Sequence, residues 1–382
     1  MPAECFPRIR VSGRGTVVAG VDHDGPFTGT SEPLIGLFRA LQERLAAEGA
    51  LEAELLALDL RVPDPAAFDG LQVERLWREH FAGNVPVLRV HASDRPGLTV
   101  TGELPPRDEP RGAVYNGYSA SELQWQYGPI LWEDGVQDTL AGWRRRGEEF
   151  LRSREHHADL RYGPGPRETL DLFPSERPGA PLAVFVHGGY WQMMDKSDHC
   201  QFTAGLLDGG AAVAVVNYDL CPSVPLSAIA GQVRGAVRWL HENAARLGYR
   251  DHGMQVIGHS AGGHLAALAA ADGGPVGSAV LVSGLYDLTP LMLMPIARTL
   301  GLNRDADGLS PAHLDPDPGL RAVVAVGERE SDEWHRQSAV LAGRWRARAA
   351  SVTEVQVPDA AHFGAVESLL TGELRDLALD LL

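Results

Sequence analysis

Gly258-His259-Ser260-Ala261-Gly262 stands between an apolar run, Met254 to Ile257, and a helical run, His264 to Ala271. A G-x-S-x-G pentapeptide between strand and helix predicts a sharp turn that lifts the serine oxygen above a sheet. Upstream, His187-Gly188-Gly189-Tyr190-Trp191 follows the apolar run Pro181 to Val186, which reads as a buried strand. Consecutive glycines let backbone N–H groups approach a substrate oxygen closely. Together the two segments predict acyl-transfer hydrolysis with Ser260 as nucleophile.

Outward from Ser260 the pattern repeats. Strands are expected at Leu182–Val186, Ala212–Asn217, Met254–Ile257, Ser278–Val282, Ala322–Val326 and Thr353–Val357. Helices are expected at Ile229–Leu247, Gly263–Ala271 and Glu333–Ala349, and further helices within the Trp- and Tyr-rich segment Tyr115 to Arg154. Continuous apolar strands alternating with helices mean an α/β fold with a doubly wound parallel sheet.

Serine is a weak nucleophile at neutral pH and needs a base, itself oriented by a carboxylate. On this architecture the chain order is nucleophile, acid, base. Glu330 follows the strand ending near Val326, and His362 follows the strand ending near Val357. Catalytic Ser260, Glu330 and His362 are thus expected at the carboxyl ends of their strands, where ligands bind in open α/β sheets. Asp332 and Asp287 are the alternative acids. The oxyanion hole is expected from the N–H groups of Gly188, Gly189 and Ala261, with Tyr190 and Trp191 as substrate-binding aromatics. Trp334 and Phe363 could also stack an aryl group, or belong to the core. His187 is expected to brace the oxyanion turn, His259 and His264 to shape the elbow, and His156, His157, His199 and His252 to be solvated or structural. Leu285 to Ala297 reads as a flexible pocket wall.

Bulk properties bound the partners. The chain has 382 residues and a formal net charge of -16, which excludes nucleic acid and anionic membranes as expected partners. MPAECFPRIR lacks the apolar core of a signal peptide, and no apolar run reaches spanning length. Cys5, Cys200 and Cys221 are too scattered for a disulfide framework or metal site. The expectation is a cytoplasmic enzyme with free thiols, no metal and no cofactor.

HGGYW, Val215–Pro222 (VVNYDLCP), Gly258–Ala266 (GHSAGGHLA), Ser283–Leu288 (SGLYDL) and Glu330–Ser338 (ESDEWHRQS) closely resemble the kynurenine formamidase (arylformamidase) branch of the α/β-hydrolases. Tyr115-Asn116 and Leu160–Phe173 (LRYGPGPRETLDLF) carry the same resemblance, which runs from about Tyr115 to the C-terminus. It implies a cofactor-free Ser-Asp-His triad acting on an N-formyl or small N-acyl aryl amide. The family's acid opens the segment that here begins with Glu330, so the chain resembles the members that carry Glu there, and Asp332 stays an alternative. A carboxylesterase with the same triad is the alternative activity.

Leu104 to Gly112 (LPPRDEPRG) reads as a linker, dividing a domain over 1–106 from one over 107–382. The first reads β-α-β-α-β-β, with strands at Gly15–Val21, Leu55–Val62, Pro86–His91 and Leu98–Leu104, and helices from Ser31 to Gly49 and from Phe68 to Phe81. Gly15–Asp22 (GTVVAGVD), Leu37–Ala50, Leu60–Gly70 (LRVPDPAAFDG) and Val87–Glu103 resemble the Rid (reactive intermediate deaminase) family, a small α+β, chorismate-mutase-like fold. That resemblance implies a homo-oligomer, a trimer or multiple of three. The family's active members carry a carboxylate-binding arginine two residues after the proline matching Pro86. Leu88 stands there, with Arg89 one residue late, and Ala19 replaces the usual serine, while Glu103 matches a late acidic position. A scaffold is therefore expected in preference to a deaminase. A bifunctional amide hydrolase and enamine or imine deaminase is the further alternative.

Overall fold

The computed structural model describes residues 114–302 and 306–382, and before them the backbone of five strands. Contacts divide the chain into two units: 1–128 with 293–296, and 129–292 with 297–382.

In the first unit β1 (Arg8–Val11), β2 (Val17–His23), β3 (Ala57–Val62), β4 (Val87–Ala92) and β5 (Leu98–Glu103) form one sheet in the order β1-β2-β5-β3-β4. Four of these strands lie where the sequence places them; β1 was not expected. The pairing of β3 with β4 is parallel and the others are antiparallel. The expected helices of this region, and the linker, lie outside the described residues.

In the second unit eight strands run in the order β13-β12-β11-β10-β8-β9-β7-β6. They are β6 (His157–Arg161), β7 (Thr169–Phe173), β8 (Leu182–Val186), β9 (Ala212–Val216), β10 (Met254–His259), β11 (Val276–Val282), β12 (Arg321–Gly327) and β13 (Ser351–Val357). From β9 through β8 to β13 every pairing is parallel. The wholly parallel expectation needs correction at one edge, where β6–β7 and β7–β9 are antiparallel. β6 and β7 were missed as strands because each is only five residues long and Gly163-Pro164-Gly165-Pro166 between them reads as a loop.

Five principal helices serve this sheet: α1 (Val136–Ser153), α2 (Leu226–Leu247), α3 (Ala261–Ala271), α4 (Asp332–Arg346) and α5 (Glu373–Leu381). α2 begins three residues before its expected start, after extended Pro225, and stops where Gly248 takes a left-handed φ of 86° and returns its N–H to the Ala244 carbonyl. Only glycine adopts that conformation without steric cost. α3 is buried from Ala261 to Ala270 and packs on β8, β10, β11 and α2. Alternate strand residues point to opposite faces. Ala183 and Phe185, Ile257, Val280 and Val323 enter a cluster with Trp143 of α1, Phe202, and Leu374 and Ala378 of α5.

The register places the chemistry. Val186 pairs with Gly258 and Gly258 with Leu281, so the ends of β8, β10 and β11 lie side by side. Ala325 of β12 lies opposite Val282, and Gly327 opposite Val357. The turns after β8, β10, β11, β12 and β13 therefore meet at one edge. From β8 the chain goes outward to β9 and returns on the other side as β10, the reversal at which open α/β sheets form their crevice.

Candidate active site

Ser260 sits between β10 and α3 with φ 56° and ψ −122°. This is an unfavourable conformation for a residue bearing a side chain, and it persists only when the surroundings impose it. Here they do. The Ser260 N–H donates to the Val282 carbonyl at 2.9 Å, and the Ser260 carbonyl accepts from the His264 N–H at 3.2 Å. The two glycines are required by space. A Cβ on Gly258 would lie 2.1 Å from the Gly262 carbonyl oxygen, and one on Gly262 would lie 2.1 Å from the Val186 carbonyl oxygen. Both obstacles are backbone and cannot swing aside.

The three expected catalytic side chains come together. His362 Nε2 lies 2.9 Å from Ser260 Oγ, and His362 Nδ1 lies 2.8 Å from Glu330 Oε2. All three are buried, Ser260 at 5 %, Glu330 at 7 % and His362 at 1 % exposure. A carboxylate buried so deeply needs donors on every side. Oε1 of Glu330 accepts the Gly327 N–H at 2.7 Å and the Ser283 hydroxyl. His362 Nδ1–H supplies the third donor, which leaves Nε2 as the acceptor facing Ser260. The alternative acids lie elsewhere. Asp332 is exposed at the start of α4. Asp287 takes the Arg336 guanidinium and the Thr289 N–H.

The three N–H groups expected at the oxyanion hole differ in their partners. Gly189 follows β8 with φ 110°, and a Cβ there would lie 2.2 Å from the Met193 carbonyl oxygen. The N–H groups of Gly189 and Ala261 find no acceptor among the described residues. Gly188 is a correction: its N–H points at His199 Nε2, 3.4 Å away, inside the protein.

The BD-FAE family matches residues 170–276. A solved structure of a candidate thioesterase from Silicibacter sp. TM1040 is 32 % identical, with a TM-score of 0.61, and the alignment covers 67 % of this chain and 97 % of that one. The chain belongs to the α/β-hydrolases. Within them, the kynurenine formamidase of Salmo salar is 28 % identical over 274 residues, spanning 66 % of this chain and 92 % of that protein. The Drosophila melanogaster kynurenine formamidase is 35 % identical over 183 residues, spanning 44 % and 60 %. Esterase LipQ of Mycobacterium tuberculosis is 29 % identical over 242 residues. Within that fold the chain is similar to both formamidases and esterases.

Around the triad this α/β-hydrolase places its aromatics differently from one another. Tyr190 keeps a partly exposed surface beside the glycine turn. Trp191 is a correction: it has no exposed surface, and its Nε1–H donates to His264 Nδ1 at 3.2 Å. It follows two glycines on a turn, so sequence could not separate a lining residue from a wedge. Trp334 is fully buried with its ring 4.3 Å from the His362 ring, and Phe363 meets the same imidazole edge-on at 5.3 Å. Both rings pack against the His362 imidazole. Within the segment expected as a pocket wall, Leu285, Tyr286 and Leu288 are fully buried and Met292 is exposed.

The histidines of the hydrolase sort by tautomer. His187 stacks on Tyr218, 4.1 Å and 7° apart, and its nitrogens meet the Gly188 carbonyl and Asn217 Oδ1. Arg167 fixes that oxygen by donating to it, and Tyr218 donates to the His187 carbonyl. The brace expected of His187 is thus a network, whose members Arg167, Asn217 and Tyr218 the sequence did not single out. Burial outweighs these acceptors and lowers His187 to about 4. His264 also falls to about 4, first by burial, against the Leu309 carbonyl that its Nε2–H reaches. His259 donates from Nε2 to the His362 carbonyl at 2.9 Å and is held well below its usual range by burial and then by His362. His199 is fully buried and structural, while His252 is solvated. Ser283, at φ 48°, was quoted only within a motif; its hold on Glu330 is visible only in three dimensions.

No group of three or more His, Cys, Asp or Glu residues that could hold a metal ion occurs among the described residues. Nor, among them, is any helix long and apolar enough to cross a membrane.

Proposed function

We propose that this enzyme is a serine hydrolase that cleaves the carbon–nitrogen bond of a linear amide, an N-formyl or small N-acyl aryl amide. The observation that carries the reading is the aligned contact Ser260 Oγ–His362 Nε2–Glu330 on a strained elbow. The kynurenine formamidase relatives support the choice of amide. Ser260 attacks the acyl carbon while His362 Nε2 takes its proton. The N–H groups of Gly189 and Ala261 receive the oxyanion, and an oxyanion donor is worth about 3 kcal/mol. The protonated His362 then gives its proton to the departing aryl amine. Water, deprotonated by the same nitrogen, releases the carboxylic acid. Glu330 holds the ring and its charge throughout. Tyr190, at the rim of the glycine turn, offers a face to the aryl group.

The esterase relatives support a second reading, a carboxylesterase using the same residues. For the first unit we retain a Rid-like scaffold, with the division at 106/107, a trimer or multiple of three, and a cytoplasmic location. Leu88 stands where an active deaminase would carry its arginine, and Arg89 comes one residue late, which supports a scaffold over a deaminase. The purified chain should be offered N-formylkynurenine, a p-nitrophenyl ester and an acylated enamine. Formate release with the highest kcat/KM on the formamide supports the amide reading. Turnover of esters alone moves the assignment to a carboxylesterase, and ammonia release from the enamine restores the bifunctional alternative.

A further inference from the structure

One carboxylate beside the triad takes no part in the chemistry above. Glu133 stands between the short helix Pro129–Trp132 and α1, distant in sequence from the base. Its Oε2 nevertheless accepts the Phe363 N–H at 3.1 Å. His362 opens the four-residue helix His362–Ala365, and the preceding Ala361 contributes no side-chain cap. N–H groups in a first helical turn have no intrahelical acceptor. The backbone that carries the base is therefore tethered by a side chain from another part of the unit.

Glu133 is half-buried. Burial pushes its carboxyl up, the Phe363 N–H pulls it down, and the charges of His362 and Glu330 both reach it with opposite sign. The groups facing His362 are few: Glu330 on Nδ1, Ser260 on Nε2, the rings of Trp334 and Phe363, and His259, which burial keeps uncharged. Besides Glu330, Glu133 is therefore a carboxylate held beside the base, on the N–H of the residue that follows it.

We propose that Glu133 is a positioning residue for His362, fixing the turn that carries the base so that Nε2 meets Ser260 and adding a second negative charge where the imidazolium develops. It forms and breaks no covalent bond. The proposal rests on the Ser260–His362 reading and deepens it.

The test uses the full chain with Glu133→Ala and Glu133→Gln. A p-nitrophenyl alkylphosphonate reports the reactivity of Ser260 through phenolate release and intact mass, and an aryl ester gives kcat and KM from about pH 5 to 9. Glu133→Ala is expected to slow phosphonylation and lower kcat by about tenfold or more, the loss of a hydrogen bond to a charged group, with KM within about threefold. Glu133→Gln keeps an acceptor for Phe363 and should recover most of the neutral-pH rate. Its acidic limb of kcat/KM should move to lower pH, because a less negative surrounding favours the uncharged ring. Equal phosphonylation of wild type and Glu133→Ala overturns the proposal, as does a loss confined to KM, which would make Glu133 a substrate contact. If Glu133→Ala does not fold, the Glu133→Gln limb decides alone, and no shift overturns it. A wild type that takes no label contradicts the serine reading itself, a result distinct from equal labelling.

Discussion

Glu330→Gln should cost far more than a lost hydrogen bond. Both carboxylate oxygens face donors: Oε1 meets the Gly327 N–H and the Ser283 hydroxyl, and Oε2 meets His362 Nδ1. A glutamine has one oxygen for the two sites. With that oxygen toward Gly327 and Ser283, where two donors wait, its NH2 faces His362 Nδ1. Nδ1 must then accept, so the ring proton moves to Nε2 and points at Ser260 Oγ. The base is then in the wrong tautomer, and the serine proton has nowhere to go. The expected loss in kcat is about 10^4-fold, or about 5 kcal/mol of transition-state stabilisation. The glutamine keeps the volume of glutamate, so the fold should persist. Steady-state turnover of a p-nitrophenyl ester, with circular dichroism to confirm folding, measures it. A folded Glu330→Gln enzyme retaining more than about a tenth of wild-type kcat would refute the tautomer argument.

Asp332→Asn, at an exposed helix start, should change kcat by less than about threefold, since only a helix-terminal charge is lost; a larger loss would restore Asp332 as acid. Gly262→Ala should prevent soluble, active expression, because its Cβ would meet the Val186 carbonyl oxygen at 2.1 Å. Gly231→Ala on α2 has open space around its Cβ and should gain about 0.5–1 kcal/mol in urea unfolding; a loss would contradict the local packing. His264, lowered to about 4 by burial, is neutral when folded at pH values where an unfolded histidine is charged. Its contribution to stability is present above about pH 6.5 and is lost as pH falls toward about 4. Urea midpoints should fall across that window and unfolding should take up protons; flat midpoints would contradict the assignment.

The fold of the second unit was legible because its inner parallel strands are buried on both faces and read as unbroken apolar runs, as in Leu182–Val186 and Ala322–Val326. Ser260 and Glu330 could be picked out because each follows such a run, and His362 because it follows the last strand, Ser351–Val357, in the expected chain order. Element ends were less so: β10 runs on to His259 and α3 starts at Ala261, since a strained serine turn needs only one residue between them. What stayed hidden depends on side chains meeting from distant segments. Trp191 reads as a lining residue until His264 is seen beside it. Gly188 and Gly189 are chemically identical, and only the direction of each N–H separates the buried one from the candidate oxyanion donor. Ser283, Arg167 and Asn217 stand within the quoted motifs, but nothing local marks their contacts with Glu330 and around His187.

The central claim is that Ser260 carries the acyl group. Acid-quenched single turnover with p-nitrophenyl acetate, followed by peptide mapping, tests it directly. The account predicts an acetyl group on the peptide containing Ser260, and neither adduct nor turnover in a folded Ser260→Ala enzyme. An adduct on another residue, or hydrolysis that survives in Ser260→Ala, would contradict it.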